Sequence, residues 1–193
     1  MITRNYVCLI SSILIALVLL AGLMAYIRPD ISVRRAISSG DLDGIRKYLK
    51  NGGDPNMRFT LALAGDKSKQ GLLHYAVSCA NPDACRLLVE AGADPNLRDY
   101  NGMTPIMCAI VLKINPSAEK KIFSCLLPIS DVTLTDRSKS TVLHYIAKYG
   151  IIEQYKSVEK IAPLLSQQKD IVGNTPMEII RLRNMEHSRD GGK

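Results

Sequence analysis

The chain has 193 residues and a formal net charge of +7, from 25 Lys and Arg against 18 Asp and Glu. It holds no Trp, two Phe and eight Tyr, so Leu, Ile and Ala carry its hydrophobic content; this argues against a β-sandwich and for layered helices, an all-α class. The charge excess is moderate and favours an acidic partner without specifying one, and the five cysteines include no Cys-x-x-Cys pair of the kind that holds zinc.

After a short tail, residues 1–5, the run Tyr6–Ile27 (YVCLISSILIALVLLAGLMAYI) is 22 residues without a charge. At about 1.5 Å per residue it is long enough to cross a hydrocarbon core of roughly 30 Å. Tyr6 and Tyr26 lie near its ends, Arg4 precedes it, and Arg28, Arg34 and Arg35 follow. The expectation is an uncleaved single-pass transmembrane signal-anchor. A cleaved signal peptide is the competing reading, but its apolar region is usually about 7–15 residues. Leu23 also spoils both the small-x-small site at Ala25 and the lipid-carrying position of LLAGL, and Cys8 lies too early. Arginine placement, read strictly, keeps the following domain cytoplasmic; the signal-anchor character instead leads us to expect it exported, as in a periplasm.

Beyond the segment, one pattern recurs: GLLHYA at Gly71–Ala76, TPIMCA at Thr104–Ala109, TVLHYI at Thr141–Ile146 and TPMEII at Thr175–Ile180. The spacings are 33, 37 and 34 residues, and an Asp stands five residues before each start, at Asp66, Asp99, Asp136 and Asp170. Four matches in register indicate a repeat array whose units bury their apolar faces only by stacking. A second repeated phrase, Asp54-Pro55-Asn56 and Asp94-Pro95-Asn96, marks a turn after each second helix.

The spacing and the phrase Thr-Pro-x-x-x-Ala resemble ankyrin repeats. DACRLLVEAGADPN, Asp83–Asn96, and DGIRKYLKNGGDPN, Asp43–Asn56, are similar to that family's second helix and turn. The resemblance implies a solenoid of helix-turn-helix units with β-turn or hairpin fingers over residues 28–187: a partial unit 30–58, full units about 59–98, 99–135 and 136–169, and a partial capping unit 170–187, then a polar tail 188–193. Thr104 is a suitable N-cap with Pro105 at the first helical position, and Ile106, Ala109 and Ile110 then share one face. The repeat positions Gly71, His74, Ala76, Gly92, Asp94, Gly102, Thr141, His144, Thr175 and Pro176 take structural roles. Departures include an enlarged first finger, Leu61–Gln70, a longer loop around Ile114–Glu119, a weakened turn at Ser130 and Val132, Lys139 in place of Gly102, and no Gly turn before Gln167-Gln168-Lys169-Asp170.

No nucleophile elbow, phosphate loop or His-Glu-x-x-His motif is present, so enzyme activity and cofactors are not expected. His74 and His144 read as structural residues of the signature. Cys79 and Cys85 flank a short interhelical turn; they read as small packing residues, with a disulfide as the alternative if the domain is exported. Ankyrin arrays bind through fingers and concave face. The finger candidates are Arg58, Lys67, Lys69, Arg98, Tyr100, Asn101, Arg137 and Lys139, and the exposed first-helix candidates Tyr75, Ser78, Tyr145, Lys148 and Tyr149. Tyr and Arg are the residue types that carry interface energy. The expected function is a monomeric protein-binding module for one acidic protein, with no nucleic-acid role because the basic residues are scattered. It resembles small exported bacterial ankyrin immunity proteins that neutralise toxic effectors, type VI secretion phospholipases among them. A non-catalytic adaptor or assembly factor at the membrane is the alternative.

Overall fold

The computed structural model describes residues 15–17, 29–60, 69–111, 115–149 and 152–190. The proposed membrane segment, apart from Ile15–Leu17, lies outside them, as do Lys67 and most of the enlarged first finger. Among the described residues no helix is long and apolar enough to cross a membrane.

Nine whole α-helices are described, four pairs and a single last helix. The first pair is α1 (Pro29–Ser39) and α2 (Leu42–Lys50). A hairpin of β1 (Arg58–Thr60) and β2 (Lys69–Gly71) follows, antiparallel with Phe59 opposite Gln70. Next come α3 (Leu72–Ser78) with α4 (Pro82–Glu90), α5 (Pro105–Val111) with α6 (Pro116–Leu126), and α7 (Val142–Tyr149) with α8 (Ile152–Ile161). A 3₁₀ turn at Pro163–Gln167 leads to α9 (Pro176–Asp190). The first helices stack in the order α1, α3, α5, α7, α9, and the second helices α2, α4 and α6 stack beside them.

Local chemistry explains the helix ends. Asp41 caps α2 by accepting from the Gly44 amide at 2.9 Å, and Asn81 caps α4 by accepting from Ala84 at 2.9 Å, with Pro82 in the first turn. Asn115 caps α6 in the same way. The second helices α2 and α4 exit through Gly52 and Gly92, whose φ values of 82° and 88° suit a residue without Cβ. The third unit lacks this glycine, as its sequence foretold, and leaves α8 through the 3₁₀ turn instead.

One core runs the length of the stack. Ile37, Ile45, Leu72, Leu73, Leu88, Ile106, Ile110, Leu126, Leu143 and Ile146 are all almost fully buried, each contributing roughly 1.5–3 kcal/mol of transfer free energy. Ala76 and Ala109 recur on the first helices at the same phase, Ala147 follows one residue later in its unit, and all three are buried, consistent with close helix approach. Cys79 and Cys85 are free, and the disulfide kept as the alternative reading is not formed: Cys85 is fully buried in the core face of α4, and Cys79 sits half-buried at the end of α3. The final helix is less polar outside than a cap should be, since Met177, Leu182 and Met185 are exposed.

Candidate functional site

The fingers repeat one hydrogen-bonded loop. In each, an Asp carboxylate is turned inward onto two backbone amides: Asp99 accepts from Asn101 and Met103, Asp136 from Ser138 and Ser140, Asp170 from Val172 and Asn174, all at 2.8–3.0 Å. The backbone closes the same loop, with the amides of Asp99, Asp136 and Asp170 donating to the carbonyls of Met103, Ser140 and Asn174. In the three described loops the Asp standing five residues before the signature is therefore the organiser. Its fourth residue takes positive φ: Gly102 at 80°, Lys139 at 59° and Gly173 at 95°.

Neighbouring fingers are joined by main chain. The Arg137 amide donates to the Asn101 carbonyl at 3.0 Å, and the Ile171 amide to the Ser138 carbonyl at 2.8 Å. A β-carbon on Gly102 would stand 3.1 Å from the Arg137 nitrogen, so the close approach of these fingers also requires glycine there. At the first finger a side chain does the joining: the Arg58 guanidinium donates to the Arg98 carbonyl at 2.6 Å. The tips thus form a row.

The signature histidines lie beneath. His74 Nε2 donates to the Met103 carbonyl at 3.0 Å and His144 Nε2 to the Asn174 carbonyl at 3.2 Å, each reaching the next finger. A carbonyl only accepts, so Nε2 carries the proton and Nδ1 is the acceptor. Burial holds both imidazoles below the usual histidine range, and among the described residues no group of three His, Cys, Asp or Glu is arranged to hold a metal. Thr104 does not cap α5 through its side chain, contrary to expectation: its hydroxyl is buried without a partner. Thr175 does cap α9, exchanging bonds with Glu178 in a capping box.

Of the candidate contact residues, Lys69, Arg98, Arg137 and Lys139 are exposed on the fingers, as are Tyr100 and Asn101, whose carbonyl is engaged by Arg137. Arg58 is exposed but tied to the next finger. Lys148 is exposed on α7 and lies 5.9 Å from the half-buried Tyr149 ring. Three first-helix candidates, Tyr75, Tyr145 and Tyr149, are half-buried where exposure was expected. Tyr75 is half-buried, edge-on to Phe59 at 5.4 Å, because the hairpin folds over α3. Tyr145 is half-buried, its hydroxyl donating to Asp136 Oδ2 at 2.6 Å; burial, then that carboxylate, pushes its pKa up. Ser78 is exposed, but its hydroxyl turns back onto the His74 carbonyl at 2.9 Å.

Sequence reasoning missed Asn56 and Asn96. Asn56 accepts from the Asp94 amide at 2.6 Å and donates to the Gly92 carbonyl at 3.2 Å; Asn96 accepts from the Asp131 amide at 2.7 Å. They tie each post-helix turn to the next, and the repeated Asp-Pro-Asn was their signal. Cysteine chemistry is unpromising: burial pushes the Cys108 thiol up to about 12 and Cys85 higher still, leaving little thiolate near neutrality.

Residues 33–117 match the family model for ankyrin repeats (3 copies). The chain is similar to an ankyrin repeat-containing protein of Schizosaccharomyces pombe, 37% identical over 79 residues, covering 41% of this chain and 35% of that one. An ankyrin repeat protein of Acanthamoeba polyphaga mimivirus is 33% identical over 106 residues, covering 54% of this chain and 16% of its own. The 2-5A-dependent ribonuclease of Mus musculus is 32% identical over 83 residues, covering 43% and 10%. The chain therefore spans about a third or less of the length of these relatives, and what is shared is the repeat region. Stacked helix pairs, finger loops and family match agree that this chain carries an ankyrin-repeat array, a fold that serves as a protein-protein interaction module.

Proposed function

We propose that this chain is a non-catalytic ankyrin module, tethered to a membrane by Tyr6–Ile27 with its array on the exported side, that binds and neutralises one acidic protein, a toxic effector. The observation that carries the reading is the finger row. Its carboxylates are turned inward onto backbone amides, while Lys69, Arg98, Arg137 and Lys139 point outward and are exposed. Rim cations of this kind mainly accelerate and select the encounter with an acidic surface. Lys148 and the edge of Tyr149 on α7 extend the surface into the concave side. The tether rests on 22 uncharged residues flanked by arginines.

The test is co-expression of the full chain with the toxin-like product of an adjacent gene. A stoichiometric complex and restored growth are expected, weakened by Arg98→Glu with Arg137→Glu. Complex formation with a harmless membrane protein would favour an adaptor role instead, and absence of any rescue removes the immunity reading.

A further inference from the structure

The three described finger loops have one backbone and three different tips. The second carries Tyr100-Asn101, the third Arg137-Ser138, the fourth Ile171-Val172. Asp170 and the main chain hold the fourth loop completely: its carboxylate accepts from Val172 at 2.9 Å and Asn174 at 3.0 Å, Gly173 donates to the Asp170 carbonyl at 3.1 Å, and Ile171 donates to Ser138 at 2.8 Å. Nothing in this scheme uses the side chains of Ile171 and Val172, which are 65% and 77% exposed. Turns ordinarily take Gly, Asn, Asp or Ser, and β-branched apolar residues are at home in strands. Two of them, adjacent on a projecting turn, are not explained by folding.

The exposed charges beside this tip are cationic, while the carboxylates nearby are turned onto hydrogen-bond donors. Lys139 and Arg137 on the neighbouring finger and Lys169 just before the loop are exposed. Asp136 is buried and Asp170 half-buried, each with its carboxylate on backbone amides, and Glu178 is bonded to Thr175. Asp131, exposed, belongs to the preceding turn and binds Thr133.

We propose that the fourth finger is a membrane-surface contact, Ile171 and Val172 entering the interface of an anionic bilayer while Lys139 and Lys169 meet lipid headgroups and Lys69, Arg98 and Arg137 are left to the protein partner. A protruding pair of aliphatic residues needs no complementary pocket in a fluid interface, and the cationic collar matches anionic lipid; each such cation contributes about fivefold in affinity near the surface. A second contact of this kind, beside the tether of the proposed function, would lay the array along the bilayer. It rests on the tip's chemistry and stands or falls separately from the anchor.

The chain has no tryptophan, so Val172→Trp in the full-length protein makes a single reporter. Lys156→Trp, on the exposed side of α8, is the control. Vesicles of phosphatidylcholine with phosphatidylglycerol, carrying brominated acyl chains, are expected to quench and blue-shift emission from position 172 and to leave position 156 unchanged. The effect is expected to be lost with Lys139→Glu plus Lys169→Glu and to be weaker on phosphatidylcholine alone. Sedimentation of the chain with neutral vesicles reports on the anchor independently. Sedimentation without quenching at position 172 overturns the proposal while leaving the anchor intact, and points the tip at a protein. Quenching indifferent to lipid charge and to the lysines, or no association with anionic vesicles, overturns it as well.

Discussion

Thr141 and His144 close on each other, Oγ1 to Nδ1 at 2.8 Å, and no other described repeat has both halves of that pair. In the α3 unit the histidine is present but Gly71 stands at the threonine position, and His74 Nδ1 is buried without a partner. In the α5 unit the threonine is present but Met107 stands at the histidine position, and the Thr104 hydroxyl is buried without a partner.

This asymmetry makes one substitution harmful at one site and helpful at another. Thr141→Val strips a bond from a buried imidazole and is expected to cost about 1–2 kcal/mol. Thr104→Val removes an unpaired buried hydroxyl at constant volume and is expected to be neutral or stabilising by up to about 1 kcal/mol. Met107→His restores the pair and lets Nε2 reach the Ser140 carbonyl, which already accepts from Asp136 and has a lone pair left. Urea denaturation of the three variants checks the order; equal destabilisation by both valines contradicts it.

Lys139 holds φ at 59° where the neighbouring fingers have glycine. Lys139→Gly relieves a left-handed penalty of about 1–2 kcal/mol and adds chain entropy to the unfolded state, for a net gain of about 0.5–1 kcal/mol. Gly102→Ala, with φ at 80° and Arg137 at 3.1 Å, is expected to lose about 2 kcal/mol. Thermal unfolding should move the two midpoints in opposite directions.

Asn56→Ala removes two bonds to the next turn and Asn96→Ala one. Losses of about 1–2 and about 1 kcal/mol are expected. Amide exchange is the sharper measurement: protection should fall at Asp94 in the first variant and at Asp131 in the second. Unchanged protection at both would show that stacking alone aligns the turns.

His74 is buried and neutral, with its pKa lowered by burial from the free value of about 6.5. The unfolded chain then binds more protons than the folded one as pH falls below neutrality, so stability is complete above about 6.5 and declines toward pH 5. His74→Gln should flatten that decline. A chevron or melt series showing the same slope in both proteins would assign the acid sensitivity to other groups.

The repeat phase, the finger Asp and the helix boundaries were legible because each depends on residues close in sequence. The Asn56 and Asn96 bonds were not, since their partners lie 36, 38 and 35 residues away and meet only after stacking. Tyr75 and Tyr145 fall at an exposed helical phase, yet the hairpin's Phe59 and the finger's Asp136 cover them. Helical periodicity describes one element at a time and does not register what folds over it. The candidate site was legible in its cations and invisible in which of them the fold itself employs, as Arg58 is employed on the Arg98 carbonyl.

The finger row has a consequence for how such a protein changes. Because carboxylates and main chain fix each loop and main chain links Asn101 to Arg137 and Ser138 to Ile171, the two residues at every tip are released from structural duty. Each described tip is free to change one dipeptide at a time, at a fixed place in the row, while the scaffold carrying it keeps its shape.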